Sequence, residues 1–494
     1  MIQLLKFHLF TASSASSQFH LILSDGAARL LSSHLEGSKI DKQMRALFQH
    51  AYDRLTSVNP LEAWTSGLWM TERGGGSDLT PTETTATYMP LDPIDTSTDA
   101  DGFPLGPWVL DGLKWFSTGT EASMAIVIAR TAQVLSAFYV PMRRRVTLNG
   151  AMRTELNGVR IRRLKNKVGT KGLATAELEL KGMRGWLIGK EGKGVHEIGV
   201  MLSITRIHLA MSALSGMARA LAAARAFAMI RKVARGTRLS SVPLHMRTLA
   251  KLHVTYRAQL MLCYFVTALQ AKSEEKTKPT AAEPHNLVPK SSQDVQCLLR
   301  LLGSVAKATT AMAGCVASQA AMEALGGLGY LENEEMDFNI GRIYRDSAAA
   351  TIGEGTTDVL AADVVKVLKG KIGSYVVAAL GRWIKTTTPR KEFMALEGVT
   401  LLQQWKELEA AISSNTIEGL TLNGREIMGR VCQVVSGVVL LVDAARDDDP
   451  TALEIARRWI RPTNPLISGV SVDEELLVDQ SIVFGNRPTW VGCP

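Results

Sequence analysis

Two short segments of this 494-residue chain carry residue types suited to chemistry: Met70–Asp78, MTERGGGSD, and Ile352–Leu360, IGEGTTDVL. In the first, the consecutive glycines Gly74, Gly75 and Gly76 leave backbone N–H groups unobstructed and permit positive φ, so the chain can approach a phosphate or a planar ring closely. Thr71 and Ser77 add hydroxyl donors at the rim. In the second, Glu354 is followed by Gly355, Thr356 and Thr357, a turn composition that can hold one carboxylate over a pocket before VLAADVVKVL begins a helix. A carboxylate held in that way is suited to general-base work. Taken singly, a triple glycine is a flexible turn and a glutamate beside glycine a solvated loop residue.

The elements that must position these segments follow from periodicity. Phe19 to about Tyr52 has apolar residues recurring at three and four, which predicts helices. From Trp64 to Trp186 the texture turns to short β-rich runs such as AIVIAR, AFYVPM and AELEL, separated by Gly, Asn, Pro and Asp turns. Beyond Val195, long Ala-, Leu- and Met-rich stretches read as bundle helices whose stripes are core packing. Lys272 to Ser292 is polar with three prolines and is expected to be an exposed loop; helices resume at Asp294 and again after about Gly370, and NRPTWVGCP at the end reads as irregular.

Composition is that of an ordinary soluble protein, 46% hydrophobic and 21% charged, and no uninterrupted apolar run long enough to cross a bilayer is read, so no membrane partner is expected. The net charge of +9 suits an anionic partner, whether a phosphate-bearing small molecule or nucleic acid, without choosing between them. Five scattered cysteines without C-x-x-C spacing indicate neither a disulfide framework nor a zinc site, and fit a reducing compartment. The first residues, MIQLLKFHLFTASSASS, read as structure and not as a targeting segment, and VGCP is no peroxisomal address. The expected setting is soluble and intracellular, in cytoplasm or mitochondrion.

Several further segments join the two loops: DGAARLL from Asp25, LKWFSTGTEASMAIVIAR from Leu113, LKNKVGTKGLATAELEL from Leu164, GMRGWLIGKEGKGV from Gly182, TRIH from Thr205, ALGGLGYLEN from Ala324 and RIYRD from Arg342. Over roughly residues 20 to 370 the chain resembles the acyl-CoA dehydrogenases, most closely the AidB-like adaptive-response branch and its eukaryotic relatives. The resemblance implies an α+β multidomain fold: a partial N-terminal helical domain (1–63), a middle β-domain (64–186), a C-terminal four-helix bundle (187–370) and a helical C-terminal extension (371–494). It further implies FAD as cofactor, an acyl-CoA substrate, a homotetramer, and an electron acceptor such as an electron-transfer flavoprotein.

By the same resemblance Glu354 is the catalytic base that takes the α-proton while the β-hydride passes to FAD, with the thioester carbonyl held in an oxyanion-hole arrangement. Thr71, Gly76, Ser77, Phe116, Thr118, Gly326, Gly327 and Thr356 are implied flavin contacts, and Thr205, Arg206 and Gly353 line the substrate side. Phe116 falls where tryptophan is common, and the plainer reading of WF is a strand core pair. Glu323 and Asp358 stand where glutamines are frequent, and the cross-subunit phosphate contact falls to Arg231, Lys232 or Arg235. Gly353 replaces an aromatic residue, which leaves the pocket wider or the base better hydrated. Some members place the base at the position of Thr205; here it is threonine, so Glu354 is the candidate. A nitroalkane-oxidising relative is disfavoured, because that branch carries Asp where Glu354 sits.

Arg143 to Lys171 contains ten Lys or Arg against one acidic residue, Glu155. A solvated strand face, capture of the CoA phosphate and contact with nucleic acid all fit such a stretch, and because AidB relatives are associated with DNA, a DNA-associated protective flavoprotein is the rival reading. Family members carry a larger helical domain before the flavin loop, so weak FAD retention and low turnover are expected of a chain in which that loop begins at Met70.

Overall fold

The computed structural model describes residues 2–14, 17–37, 40–92, 97–132, 134–148, 151–275, 287–332, 339–461 and 471–485. The central part of the expected 272–292 loop and the C-terminal NRPTWVGCP lie outside the described residues. In chain order the helices are α1 (Ile2–Thr11), α2 (Ser17–Glu36), α3 (Lys42–Leu55), α4 (Gly194–Glu197), α5 (Gly199–Ile230), α6 (Pro243–Glu274), α7 (Ser292–Ala324), α8 (Ile340–Ile352), α9 (Thr357–Lys369), α10 (Gly373–Thr387), α11 (Ala395–Ser414), α12 (Ile417–Leu422), α13 (Gly424–Asp447), α14 (Pro450–Ile460) and α15 (Val472–Phe484). The strands are β1 (Ser66–Trp69), β2 (Thr85–Tyr88), β3 (Thr98–Asp99), β4 (Trp108–Thr118), β5 (Met124–Thr131), β6 (Val134–Pro141), β7 (Arg143–Leu148), β8 (Ala151–Leu156), β9 (Val159–Leu164) and β10 (Thr175–Ile188). They form two compact units, Ser14–Thr205 and Met1–Ser13 with Arg206–Pro494, and the boundary falls inside α5.

The β unit is built on a seven-stranded sheet in the order β1-β4-β2-β5-β6-β10-β9, beside a three-stranded sheet β3-β7-β8. β5 is buried on both faces, which is why AIVIAR is a continuous apolar run and not an alternating one. Its Met124, Ile126 and Ile128 pack with Leu30, Leu31 and Phe48 of α2 and α3, while Ala125, Val127 and Ala129 join Trp69, Phe138 and Met183 in a second cluster. That division is the two-residue period of a strand expressed in packing. Ser24 of α2 accepts the Ser66 N–H at 3.1 Å, tying the helix to the start of β1.

The helical unit is a bundle in which small residues set the closest approaches. A Cβ on Gly314 of α7 would stand 3.2 Å from the Ala213 carbonyl of α5, so the glycine admits close contact of the two helices. Met217, Leu221 and Ala317 pack next along the same pair. α13 buries Val431, Val434, Val435, Val438 and Leu441, and Trp383 of α10 stacks on Phe265 of α6 with centroids 4.6 Å apart. The sequence holds no uninterrupted apolar run of bilayer length, but three of the described helices reach that length and apolarity on average. Gly199–Ile230, Ser292–Ala324 and Gly424–Asp447 are each long and apolar enough by length and composition. Each apolar window is more than half buried within the protein, where a helix apolar over much of its circumference is expected.

Candidate active-site residues

In the β unit the glycine-rich segment forms a tight turn. Glu72 N–H donates to the Gly75 carbonyl at 2.9 Å and Gly75 N–H returns to the Glu72 carbonyl at 3.2 Å. None of the three glycines uses positive φ, contrary to expectation. What the turn requires is space at one of them. A Cβ at Gly75 would lie 2.5 Å from the Asp78 carbonyl and 2.8 Å from Pro81 Cγ, whereas Gly74 faces open space and Gly76 has only the Thr71 methyl at 3.8 Å.

The turn is anchored on β4 by three contacts. The Thr71 carbonyl accepts from Trp115 N–H at 2.9 Å, Arg73 lies 5.6 Å from the Trp115 ring centroid, and the Glu72 carboxylate meets Lys114 Nζ at 2.6 Å. Glu72 also accepts from the Glu83 N–H at 2.6 Å and the Thr84 hydroxyl at 2.6 Å, while Lys114 makes a second bond, to the Ile128 carbonyl at 2.7 Å. Burial would raise the Glu72 carboxyl, but the Lys114 charge and these donors outweigh it and hold the group below its ordinary range. Burial lowers Lys114 despite the attraction of Glu72. Neither Glu72 nor Lys114 stood out in the sequence, although both lie within the segments that did.

Phe116 and Thr118 lie further along β4. Phe116 is 47% exposed and is not half of a core pair; Trp115 is covered by Lys165, whose Nζ stands 3.2 Å from the ring centroid. Thr118 Oγ1 lies 3.2 Å from Thr175 Oγ1 on β10, and Ser77 is exposed at the end of the glycine turn. Thr205 is buried, with its hydroxyl bonded to the Leu202 carbonyl at 3.1 Å.

In the helical unit the turn between α8 and α9 carries Gly353, Glu354, Gly355 and Thr356. Glu354 has φ 57° and Gly355 φ 102°, two consecutive left-handed residues. For a residue with a Cβ this conformation is costly and persists where the surroundings enforce it. Two cations supply the enforcement: Arg206 Nε donates to the Glu354 carbonyl at 3.3 Å and Lys307 Nζ to the Gly355 carbonyl at 2.6 Å. Arg206 also reaches Ser304 Oγ at 3.3 Å and Asp363 at 3.7 Å, and Asp363 is held bidentately by Arg300 at 2.6 and 2.7 Å and by Ser304 at 2.8 Å. Burial lowers the Arg206 guanidinium, with Asp363 opposing. Burial pushes Lys307 down to about 8, with Glu354 opposing and Arg206 adding to the depression. Lys307 was legible only as the single cation in the apolar stretch GSVAKATTAMAG.

Gly326 and Gly327 belong to a different turn at the end of α7. Gly326 has φ 61°, and nothing lies near a Cβ added at either. In the same turn it is Gly329 that sterics demand, since its Cβ would lie 2.1 Å from the Met322 carbonyl. Arg231, Lys232 and Arg235 are exposed between α5 and α6, where Lys232 bridges to Arg238. Asp358 pairs with Arg425 at 2.6 Å on the surface. Within each unit taken by itself, the residues present fit part of a flavin. Gly74, Gly76, Gly326 and Gly327 leave their faces clear for pyrophosphate or ring, Phe116 offers a half-exposed aromatic, and Thr356 stands exposed at the N-terminus of α9, where backbone N–H groups suit an anionic oxygen.

The basic stretch forms β7, β8 and β9, with acids set against it. Glu155 meets Arg144 at 2.7 Å; Glu177 meets Arg163 at 2.5 Å and Lys165 at 2.7 Å; Glu179 meets Arg162 at 3.2 Å and Arg160 at 3.8 Å.

A middle β unit with a glycine-rich turn, followed by a bundle that carries a glutamate turn, is the order of elements that the resemblance implied. The chain belongs to the acyl-CoA dehydrogenase family: residues 67–183 match the acyl-CoA dehydrogenase middle domain and residues 192–369 the acyl-CoA dehydrogenase C-terminal domain. Acyl-CoA dehydrogenase family member 11 of Caenorhabditis elegans is 32% identical over 510 residues, 98% of this chain and 75% of the relative. The putative acyl-CoA dehydrogenase AidB of Escherichia coli is 30% identical over 310 residues, 63% of this chain and 49% of the relative. Among solved structures, that of Caenorhabditis elegans ACDH-11 in complex with C11-CoA superposes with a TM-score of 0.78 at 31% identity, covering 98% of this chain and 78% of that one.

Proposed function

We propose that the protein is an FAD-dependent oxidoreductase that introduces an α,β double bond into acyl-CoA thioesters, with Glu354 as the base. The α-proton goes to the Glu354 carboxylate and the β-hydrogen leaves as hydride, so that one C=C forms and the acyl chain loses two hydrogens. FAD, when bound, supplies the hydride acceptor, and an electron acceptor such as an electron-transfer flavoprotein takes the electrons onward. Thr71, Gly76, Ser77, Phe116 and Thr118 of the β unit, with Gly326, Gly327 and Thr356 of the helical unit, would hold the flavin; a homotetramer is the proposed assembly. Thr205, Arg206 and Gly353 would border the acyl-CoA, and the missing aromatic at Gly353 favours a roomier substrate side.

The observation that carries this reading is Glu354 itself. A carboxylate residue is held left-handed by a half-buried arginine on its own carbonyl and a buried lysine on the next, an investment of structure that a solvated loop glutamate does not require. The family membership and the complex of the worm relative with C11-CoA support the substrate class. Anaerobic titration of the FAD-loaded protein with acyl-CoAs of increasing chain length, followed by loss of flavin absorbance, tests it. Bleaching by at least one thioester is expected, and none across the panel would count against it.

A second reading is a flavoprotein of the same fold with little turnover that associates with DNA. The observation favouring it is the row of exposed Arg160, Arg162 and Arg163 on β9, the edge strand of the large sheet. Glu177 and Glu179 offset much of that charge, and the first reading leads.

A further inference from the structure

Lys307 lies on α7 among Val305, Ala306, Ala308 and Ala311, all buried, and its own exposure is 0%. An ammonium without water about it is strongly disfavoured unless its charge and protons are used. Its described hydrogen bond is to the Gly355 carbonyl at 2.6 Å, the residue after Glu354. Arg206, from α5, holds the preceding carbonyl. Cations from two helices therefore bind successive carbonyls of a turn whose two residues are both left-handed. Of the charged groups about Lys307, Glu354 faces it from the turn and Arg206 from α5; behind Arg206 stand Asp363 on α9 and Arg300 on α7. Glu354 attracts the ammonium, Arg206 repels it, and Asp363 offsets both arginines.

We propose that Lys307 is the positioning residue of the base turn: through the Gly355 carbonyl it locks Glu354 in its left-handed geometry, and it sets a positive charge beside the carboxylate that favours the ionised, proton-accepting form. The proposal rests on Glu354 being the base, as read above. Lys307 works through Glu354, and its two contributions separate by chemistry. A neutral donor at this position keeps the turn but removes the charge, while an apolar side chain of similar length removes both. Because the ammonium is pushed down to about 8, its charge disappears as pH rises through that value; an ionised carboxylate left without that charge is the stronger base, and the rate of proton abstraction rises with it.

The test compares the full chain, FAD-loaded, as wild type, Lys307→Gln, Lys307→Met and Glu354→Gln. Hydrogen exchange is read on the peptide Thr351–Leu360, with Val434–Leu441 of α13 as reference, and bleaching by octanoyl-CoA is timed between about pH 6 and 10. In Lys307→Met the turn peptide is expected to exchange about tenfold faster with the α13 peptide unchanged, and bleaching to slow about a hundredfold. Lys307→Gln is expected to restore the protection and to lose the alkaline rise in rate near pH 8. Should Lys307→Met not fold, Lys307→Gln carries the comparison, since loss of the alkaline rise with unchanged protection is a result that simple structural damage does not produce. Unchanged turn exchange in Lys307→Met, or an alkaline rise with the same midpoint in Lys307→Gln, would overturn the proposal. The two readings fail differently. If Glu354→Gln bleaches as fast as wild type while Lys307→Met opens the turn, the base assignment fails and the pinning stands. If Glu354→Gln abolishes bleaching and Lys307→Met alters neither exchange nor rate, only the role of Lys307 fails.

Discussion

Lys114 Nζ lies 2.6 Å from the Glu72 carboxylate, with the lysine side chain 0% exposed and the glutamate 5%. This buried ion pair joins the glycine-rich turn to the middle of the large sheet, and through the second Lys114 bond it reaches the Ile128 carbonyl of β5. The turn proposed to hold FAD is thereby anchored to the sheet by a charge pair.

Lys114→Met strands the Glu72 charge in the interior and is expected to cost about 3–5 kcal/mol, whereas the double change Lys114→Met with Glu72→Leu costs far less than the sum of the single changes. Urea denaturation of the four proteins measures the coupling. Because the folded Glu72 carboxyl lies below its ordinary value of 4.5, the contribution of the pair is complete above that pH and is lost as pH falls through the folded value.

Gly75→Ala meets the Asp78 carbonyl and Pro81, and is expected to destabilise the β unit by ~1–3 kcal/mol and to weaken FAD retention. Gly74→Ala enters open space and should shift stability by no more than about 0.5 kcal/mol. Thermal melts with and without added FAD distinguish the two; equal effects would mean that the turn is not set by the contact at Gly75.

These two residues mark how far the sequence could be read. Residue types suited to chemistry were visible: a glycine cluster with hydroxyls and a glutamate before a helix. Helical and β texture was visible too, because the AIVIAR run and the Ala- and Met-rich stripes follow the periods of their elements. Identical glycines, however, differ only in what their missing Cβ would touch, and that depends on Asp78 and Pro81 folding back. Neither Lys114 nor Lys307 was singled out, because nothing local to either shows that the chain will bring a carboxylate or a carbonyl to it from 42 or 48 positions away. The bilayer-length helices were missed because glycine, serine and isolated charges interrupt the apolar residues without lowering the average enough.

His253 on α6 is pushed down to about 4 by burial, with Arg225 and Arg257 adding to the depression, and its Nε2 has no hydrogen-bond partner among the described residues. Its folded value lies below the ordinary 6.5, so the protonated form favours unfolding: the helical unit keeps its stability above about pH 6.5 and loses it progressively down to about 4. The loss is of the order of 2–3 kcal/mol, and His253→Gln should flatten that part of a melting-temperature profile against pH. An unchanged acid limb would remove His253 as its cause.

Any DNA affinity is expected to be independent of sequence and to fall steeply with salt, since it would rest on Lys and Arg meeting phosphates. Charge reversal at Arg143, Arg144 and Arg145 reads the contribution of β7, and binding isotherms at two salt concentrations suffice. Binding that survives the triple change with the same salt slope would move the contact elsewhere.

The role of Glu354 is tested most directly by Glu354→Gln, which keeps the shape of the turn and removes the base. The variant and the wild type, both loaded with FAD, are mixed anaerobically with the acyl-CoA that bleaches the wild type fastest, and the flavin absorbance is followed in a stopped-flow instrument. Equal FAD content and a bleaching rate lower by roughly three orders of magnitude or more is the expected result. Bleaching at the wild-type rate would contradict the assignment of Glu354 as the base.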